Sequence, residues 1–252
     1  MLSSATGVVY ISINSGSTWN ILIYTNNNQL WWNLVNHGKV VCDNTGQYFY
    51  ARTDNSLYIS SDGGNKWNQI TTWKNTTQSN IYNPSINDLY TNRGSCYCNS
   101  TGEHVIVTGW YKKNQYQNPV AIYSHDYGNT WYATLCPNGS NINQAWLSED
   151  GSIVYIGGCL STYSGKTFNY LTKLWENISL QNQSFSSSAY GEIMIGFADG
   201  NNLMYSIDKG NTWTLEGGYP NYHVVYNIIS GNGTYHYLGL NQYGTVSYLN
   251  LK

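Results

Sequence analysis

Charge is scarce in this sequence. Asp, Glu, Lys and Arg make up 10% of the 252 residues, where an ordinary domain has about 25%. The net charge is −2 and there are two arginines, Arg52 and Arg93. Without a basic field nothing holds a phosphate backbone or an anionic lipid surface, so a general nucleic-acid binder is excluded. No apolar run is long enough to cross a bilayer as a helix, which predicts no membrane insertion. Four prolines and 15% aromatics exclude a polyproline linker and a disordered chain. The segment Met1–Gly7 has neither the basic nor the apolar region of a signal peptide. HExxH, CxxC, GxSxG and phosphate loops are missing, and neither a metal nor a cofactor is expected. The five cysteines, Cys42, Cys96, Cys98, Cys136 and Cys159, are odd in number. Cys96 and Cys98 would share one face of a strand, and the expected state is buried or idle thiols.

What the chain has is aromatic and polar. It carries 25 Tyr, 10 Trp, 34 Asn and 25 Gly. Tyr and Trp favour strands, while Asn and Gly favour turns, so the composition predicts an all-β fold. The six Asn-x-Ser/Thr sequons match the number expected by chance, about six, and say nothing about secretion.

One motif recurs: Ser60-Ser61-Asp62-Gly63-Gly64-Asn65-Lys66-Trp67, Ser124-His125-Asp126-Tyr127-Gly128-Asn129-Thr130-Trp131 and Ser206-Ile207-Asp208-Lys209-Gly210-Asn211-Thr212-Trp213. The pattern is S-x-D-x-G-x-[TK]-W after an apolar run. A carboxylate that accepts turn N–H groups, a Gly free to take positive φ and a Trp that covers the hairpin make a tight turn. The motif resembles the Asp-box, or BNR, repeat of the sialidase-like β-propellers. That resemblance implies a structural box between the third and fourth strands of each blade. It also favours an extracellular, cell-surface or virion location over a cytoplasmic one.

A second ruler is a polar turn ending in Gly7, Gly46, Gly102, Gly151, Gly191 and Gly233, at spacings of 39, 56, 49, 40 and 42. A β-rich run follows each, as after the first hairpin of a blade. The two rulers predict one propeller domain of six four-stranded antiparallel blades, near 1–35, 36–73, 74–136, 137–180, 181–218 and 219–252. In this phasing Thr25–Trp32 is a degraded box and Phe168–Trp175 a tighter hairpin. Ser12–Trp19 also looks like a box, with Asn14 for Asp, but falls out of phase. It fits the alternative of five blades closed by an N-terminal hairpin. Under six blades the last lacks an outer strand, which is either absent or supplied by a homo- or hetero-oligomeric partner, or the sequence is part of a longer polypeptide.

Two insertions, Trp73 to Arg93 and Tyr111 to Pro119, border the third blade on the face away from the boxes. Long loops on a rigid scaffold carry binding, which makes Trp73, Tyr82, Arg93, Trp110, Tyr111 and Tyr116 the ligand candidates. Sialidases of the resembled family grip a carboxylate with three arginines. Two are present, so that activity is not expected. Other Asp-box propellers hydrolyse xyloglucan with paired acids, for which Asp54 and Asp88 are the candidates here. The five histidines look dispersed, His104 and His236 being near-equivalent in second strands. The sequence thus predicts a non-catalytic module for a protein or glycan partner, or a building block of a virion, fibre or surface assembly. A non-sialidase glycoside hydrolase and a lectin are the alternatives.

Overall fold

The computed structural model describes residues 2–3, 9–14, 16–22, 39–53, 56–72, 74–75, 89–90, 94–113, 116–136, 145–156, 159–161, 169–170, 185–198, 202–218, 224–233, 236–240 and 246–249. The chain divides into two compact units, Met1–Asn138 and Gly139–Lys252, with three sheets in each. No helix occurs among the described residues.

In the first unit, β1 (Leu2–Ser3), β2 (Val9–Ile11) and β3 (Asn20–Leu22) form one sheet. β4 (Lys39–Cys42), β5 (Phe49–Arg52), β6 (Leu57–Ser60) and β7 (Asn68–Ile70) form the second, a four-stranded antiparallel meander. The third sheet contains β8 (Lys74–Asn75), β9 (Leu89–Tyr90), β10 (Cys96–Cys98), β11 (Val105–Lys113), β12 (Tyr116–Ser124) and β13 (Tyr132–Leu135). The second unit begins with β14 (Ala145–Leu147), β15 (Val154–Ile156), β16 (Cys159–Ser161) and β17 (Asn169–Tyr170). Its next sheet has β18 (Phe185–Ser187), β19 (Met194–Ala198), β20 (Asn202–Ser206) and β21 (Thr214–Gly218), and its last has β22 (Val224–Ile229), β23 (His236–Leu240) and β24 (Val246–Leu249).

Middle strands such as Phe49-Tyr50-Ala51-Arg52 are buried throughout, because both faces of their sheet are covered. Alternation then sends neighbours to opposite sides. Tyr50 packs with Cys96, Val107 and Trp131 toward the third sheet. Phe49 and Ala51 pack with Trp67 and Ile11 on the other side. In the second unit Tyr155 stacks on Phe185 with ring centroids 3.7 Å apart, in a cluster with Leu160 and Met194.

The Gly-ended turns join successive sheets as well as strands. In three of them, the backbone N–H of the second residue donates to the carbonyl of the second residue in the next turn of the same unit. The bonds are Asn44 to Ser100, Glu149 to Ala189 and Ala189 to Gly231, all 2.8 Å. The first residue closes its own turn by accepting from the N–H five residues on. Asp43 Oδ1 takes Tyr48, Asn99 Oδ1 takes His104, and Ser148 and Ser188 Oγ take Ile153 and Ile193.

The eight-residue motif forms the same turn three times. Ser60 Oγ donates to Asp62 Oδ1 at 2.8 Å and accepts from Gly64 N–H at 2.9 Å. Asp62 Oδ1 accepts from Lys66 N–H at 2.8 Å, and Trp67 Nε1 donates to the Gly64 carbonyl at 2.9 Å. Ser124–Trp131 and Ser206–Trp213 repeat this set. The Gly has a second duty. A Cβ on Gly128 would stand 2.3 Å from Ile59 Cδ1, and one on Gly210 2.5 Å from Leu160 Cδ2, both in the preceding sheet.

Two sequence expectations are corrected here. Ser12–Trp19 closes as a motif turn, Gly16 N–H donating to Ser12 Oγ at 2.8 Å and Thr18 N–H to Asn14 Oδ1 at 2.9 Å. Val9–Ile11, expected as a second strand, therefore stands where β6, β12 and β20 stand, immediately before the motif turn. An amide oxygen serves the turn as a carboxylate does, which is why Asn14 suffices. Likewise, Asn169–Tyr170 pairs with β16 as the outer strand, past the turn that the sequence places at Phe168–Trp175, and the rest of that segment lies outside the described residues. Ser161 ends β16 fully buried, as Ser60, Ser124 and Ser206 end their strands. The sequence Ser161–Phe168 keeps Ser161, Gly165 and Thr167 at the motif spacing. Thr25–Trp32 lies outside the described residues.

Candidate ligand face

β11 and β12 run for nine residues each, longer than any other strand among the described residues. Their pairing starts at Val105↔Ser124 and continues to Lys113↔Tyr116. The first five pairs are the body of the sheet, flanked by β10 along Val105–Val107 and by β13 along Val120–Tyr123. The four pairs from Trp110 to Lys113 extend it by about 13 Å at the ordinary rise of a strand. This is the end away from the Gly-ended and motif turns.

The two insertions meet on this extension. β9, from the first, pairs antiparallel with β11, from the edge of the second, through Trp110↔Tyr90 and Tyr111↔Leu89. The first insertion also adds β8 in parallel to the outer strand, Tyr132↔Lys74, where the Lys74 ammonium lies 5.9 Å from the Tyr132 ring centre. Trp110 is half-buried and pairs with Pro119, which is buried. Tyr111 and Tyr116 are placed in β11 and β12. Trp73, Tyr82, Arg93, Asp54 and Asp88 lie outside the described residues.

Next to the extension, the second and third sheets meet in a polar seam. Lys39 opposes Arg52 across β4 and β5, and the Lys39 ammonium donates to Ser95 Oγ at 3.1 Å. Arg52, Ser95 and Thr108 are buried. Desolvation, with Arg52 adding to it, pulls the Lys39 pKa down while Cys96 opposes. Burial pushes the Cys96 thiol up to about 12, so it is inert as a nucleophile.

The opposite end holds a pair that composition and spacing did not disclose. His104 Nδ1 lies 2.9 Å from His125 Nδ1, with the rings at 67°. His104 is the fifth residue after Asn99, and His125 is the second residue of its motif. The Tyr127 N–H donates to the Glu103 carbonyl at 3.1 Å and ties the motif turn to the Gly-ended turn, which brings the imidazoles together. The second sheet joins the same two turns, Gly63 N–H donating to the Gln47 carbonyl at 3.0 Å, so the meeting of the two positions comes from this turn contact and not from the sequence spacing. Among the described residues no group of three or more His, Cys, Asp or Glu side chains is arranged to hold a metal.

No protein-family model matches the sequence, and no curated protein is similar to it in sequence. Solved structures are similar in fold. A GH74 xyloglucanase from Xanthomonas campestris aligns with a TM-score of 0.57 and 14% identity, covering 84% of this chain and 36% of that one. A structure of YCF48 bound to D1 peptide aligns at 0.50 and 15%, covering 85% and 68%, and YCF48 from Cyanidioschyzon merolae at 0.51 and 13%, covering 84% and 66%. The chain thus spans about a third of the length of the xyloglucanase. With the four-stranded antiparallel sheets, these likenesses establish a β-propeller fold.

Proposed function

We propose that this β-propeller is a non-catalytic binding module of the Asp-box, sialidase-like kind, and that it engages a protein or glycan partner through the extended third sheet. The observation that carries the reading is the β9–β11 ladder. It joins two insertions, unneeded by the repeat, into one projecting platform with Trp110 at the junction. A rigid platform with an aromatic anchor suits recognition of sugars and of peptides. The recurrent motif supports the Asp-box kinship, and two arginines are too few for the sialidase carboxylate grip. One similar propeller, YCF48, has been solved with a peptide bound.

The test is a glycan array and a peptide array probed with the intact chain, with light scattering on the same sample. Hits on either array that fall when Trp110 is replaced support the reading. A large homogeneous particle without hits would replace it with the building-block role. The xyloglucanase likeness favours a second reading, a glycoside hydrolase using Asp54 and Asp88. Release of reducing sugar from xyloglucan, lost in Asp54→Asn and Asp88→Asn, would establish that reading and overturn the first.

A further inference from the structure

The motif and Gly-ended turns form without histidine. The residue after Ser in the motif is Ser61, Ile207 or Ile13 in the other copies, and the fifth residue after the first of the Gly-ended turn is Tyr48, Ile153 or Ile193. The third sheet alone puts imidazoles at both positions, and they face each other Nδ1 to Nδ1 at 2.9 Å. Both side chains are half-buried. Their surroundings favour a cation. Glu103 and Asp126 are the chain neighbours of the two histidines. The Tyr123 ring centre lies 5.2 Å from that of His125, and Tyr127 stands on the adjoining turn beside Tyr48. No lysine or arginine falls within Asn99–His104 or Ser124–Trp131.

We infer that His104 and His125 form a two-imidazole site for a divalent transition-metal ion of the Cu²⁺/Ni²⁺ class. Two imidazole nitrogens bound at right angles, each about 2.0–2.1 Å from an ion, stand about 2.9 Å apart. That separation suits square-planar or tetragonal coordination and is short for a tetrahedral zinc pair. In the absence of an ion one ring donates its Nδ1–H to the other. Binding shifts that ring to its Nε2–H tautomer, Nδ1 giving up its proton as Nε2 takes one up, and both rings turn so that both Nδ1 lone pairs meet the ion with no net release of a proton. Water completes the coordination, because Asp126 Oδ1 is already held by Ser124 Oγ and Thr130 N–H. The site lies at the opposite end of the third sheet from the ligand platform and does not depend on it.

The test uses the untagged full chain, freed of metal with a chelator and titrated with Cu²⁺ at pH 7.5 by calorimetry and electron paramagnetic resonance. The expected result is one ion per chain at micromolar affinity, with hyperfine coupling to two nitrogens. His104→Gln and His125→Gln should each weaken binding at least tenfold. The His125→Gln melting temperature should stay close to that of the parent, since other motif copies do without His. Binding by the double variant equal to the parent's would place the ion elsewhere and overturn the inference. No binding by the parent would show that the pair is a hydrogen bond only.

Discussion

The Tyr50 hydroxyl donates to the Gly102 carbonyl at 2.6 Å and so ties a middle strand of the second sheet to the first turn of the third. Both groups are buried, and Tyr50 has no exposed surface. Removing the hydroxyl leaves a carbonyl without its donor, so Tyr50→Phe should cost about 1–2 kcal/mol in urea denaturation at neutral pH. Alkali supplies an independent check. Burial, reinforced by Cys98 and other neighbouring groups, raises the Tyr50 pKa far above its ordinary value. The folded state therefore holds a proton that the unfolded chain releases above about pH 10, and stability falls as pH rises past that point. The Phe variant should lose less stability than the parent between pH 9 and about 11. An equal loss in both proteins would mean that other groups dominate the alkaline limb.

The motif carboxylates act at the other end of the pH scale. The Lys66 N–H lowers the Asp62 pKa, and Thr212, through hydroxyl and N–H, lowers that of Asp208. At Asp126 burial opposes the shift, but bonds from Thr130 and Ser124 outweigh it. Ionised carboxylates are thus favoured by the fold. Their contribution is complete above about pH 4 and is lost as pH drops below it. Asn14 makes the corresponding bonds with an amide. Hence Asp126→Asn should cost a few tenths of a kcal/mol and lessen the acid dependence. Asp126→Ala, which removes the acceptor, should cost about 1 kcal/mol. Denaturation curves at pH 7 and pH 3.5 for both variants decide the matter, and equal losses at pH 7 would show that the acceptor is dispensable.

The motif backbone predicts opposite outcomes at adjacent positions. The residue before the motif Gly is left-handed, and it is Gly63 in one copy but Tyr127 (φ 58°) and Lys209 (φ 60°) in the others. A left-handed side-chain-bearing residue costs about 1 kcal/mol, so Lys209→Gly should stabilise by up to that amount. Tyr127→Gly should gain less, because Tyr127 packs on Tyr48 with centroids 4.9 Å apart. Gly128→Ala meets both a φ of 78° and Ile59, and should cost more than 2 kcal/mol. Thermal melts of the three variants test the order, which fails if Gly128→Ala melts with the parent.

Much of this architecture is legible in the residues, because local chemistry and tertiary position coincide at the turns. Ser60, Asp62, Gly64 and Trp67 satisfy one another within eight residues, so the motif announces its turn wherever it occurs. Degenerate copies are harder to read. Asn14 keeps the acceptor but looked out of phase, and Ser161–Phe168 keeps Ser161, Gly165 and Thr167 without Asp or Trp. The His104–His125 contact was not legible, because it depends on two turns 21 residues apart meeting across a sheet end. The meeting of the insertions at Trp110 and Tyr90 is a pairing of the same long-range kind. Loop length located the insertions, and register joined them.

Trp110 and Trp131 then separate binding from folding in one sheet. Trp131 is 3% exposed, packs edge-on against Tyr50 with centroids 6.3 Å apart, and donates from Nε1 to the Gly128 carbonyl at 2.8 Å. Its replacement by Ala should cost about 3–5 kcal/mol. Trp110 is half-buried at the root of the projecting pairs, beyond the body of the sheet. Trp110→Ala should lower the melting temperature by only a few degrees and reduce the signal on the glycan or peptide array at least tenfold, as loss of an interface anchor does. Far-UV circular dichroism melts on the same preparations show that the folds compared are intact. If Trp110→Ala binds as the parent does, the platform is not the binding site. If it melts as low as Trp131→Ala, Trp110 belongs to the core and the anchor must be sought elsewhere on the extension.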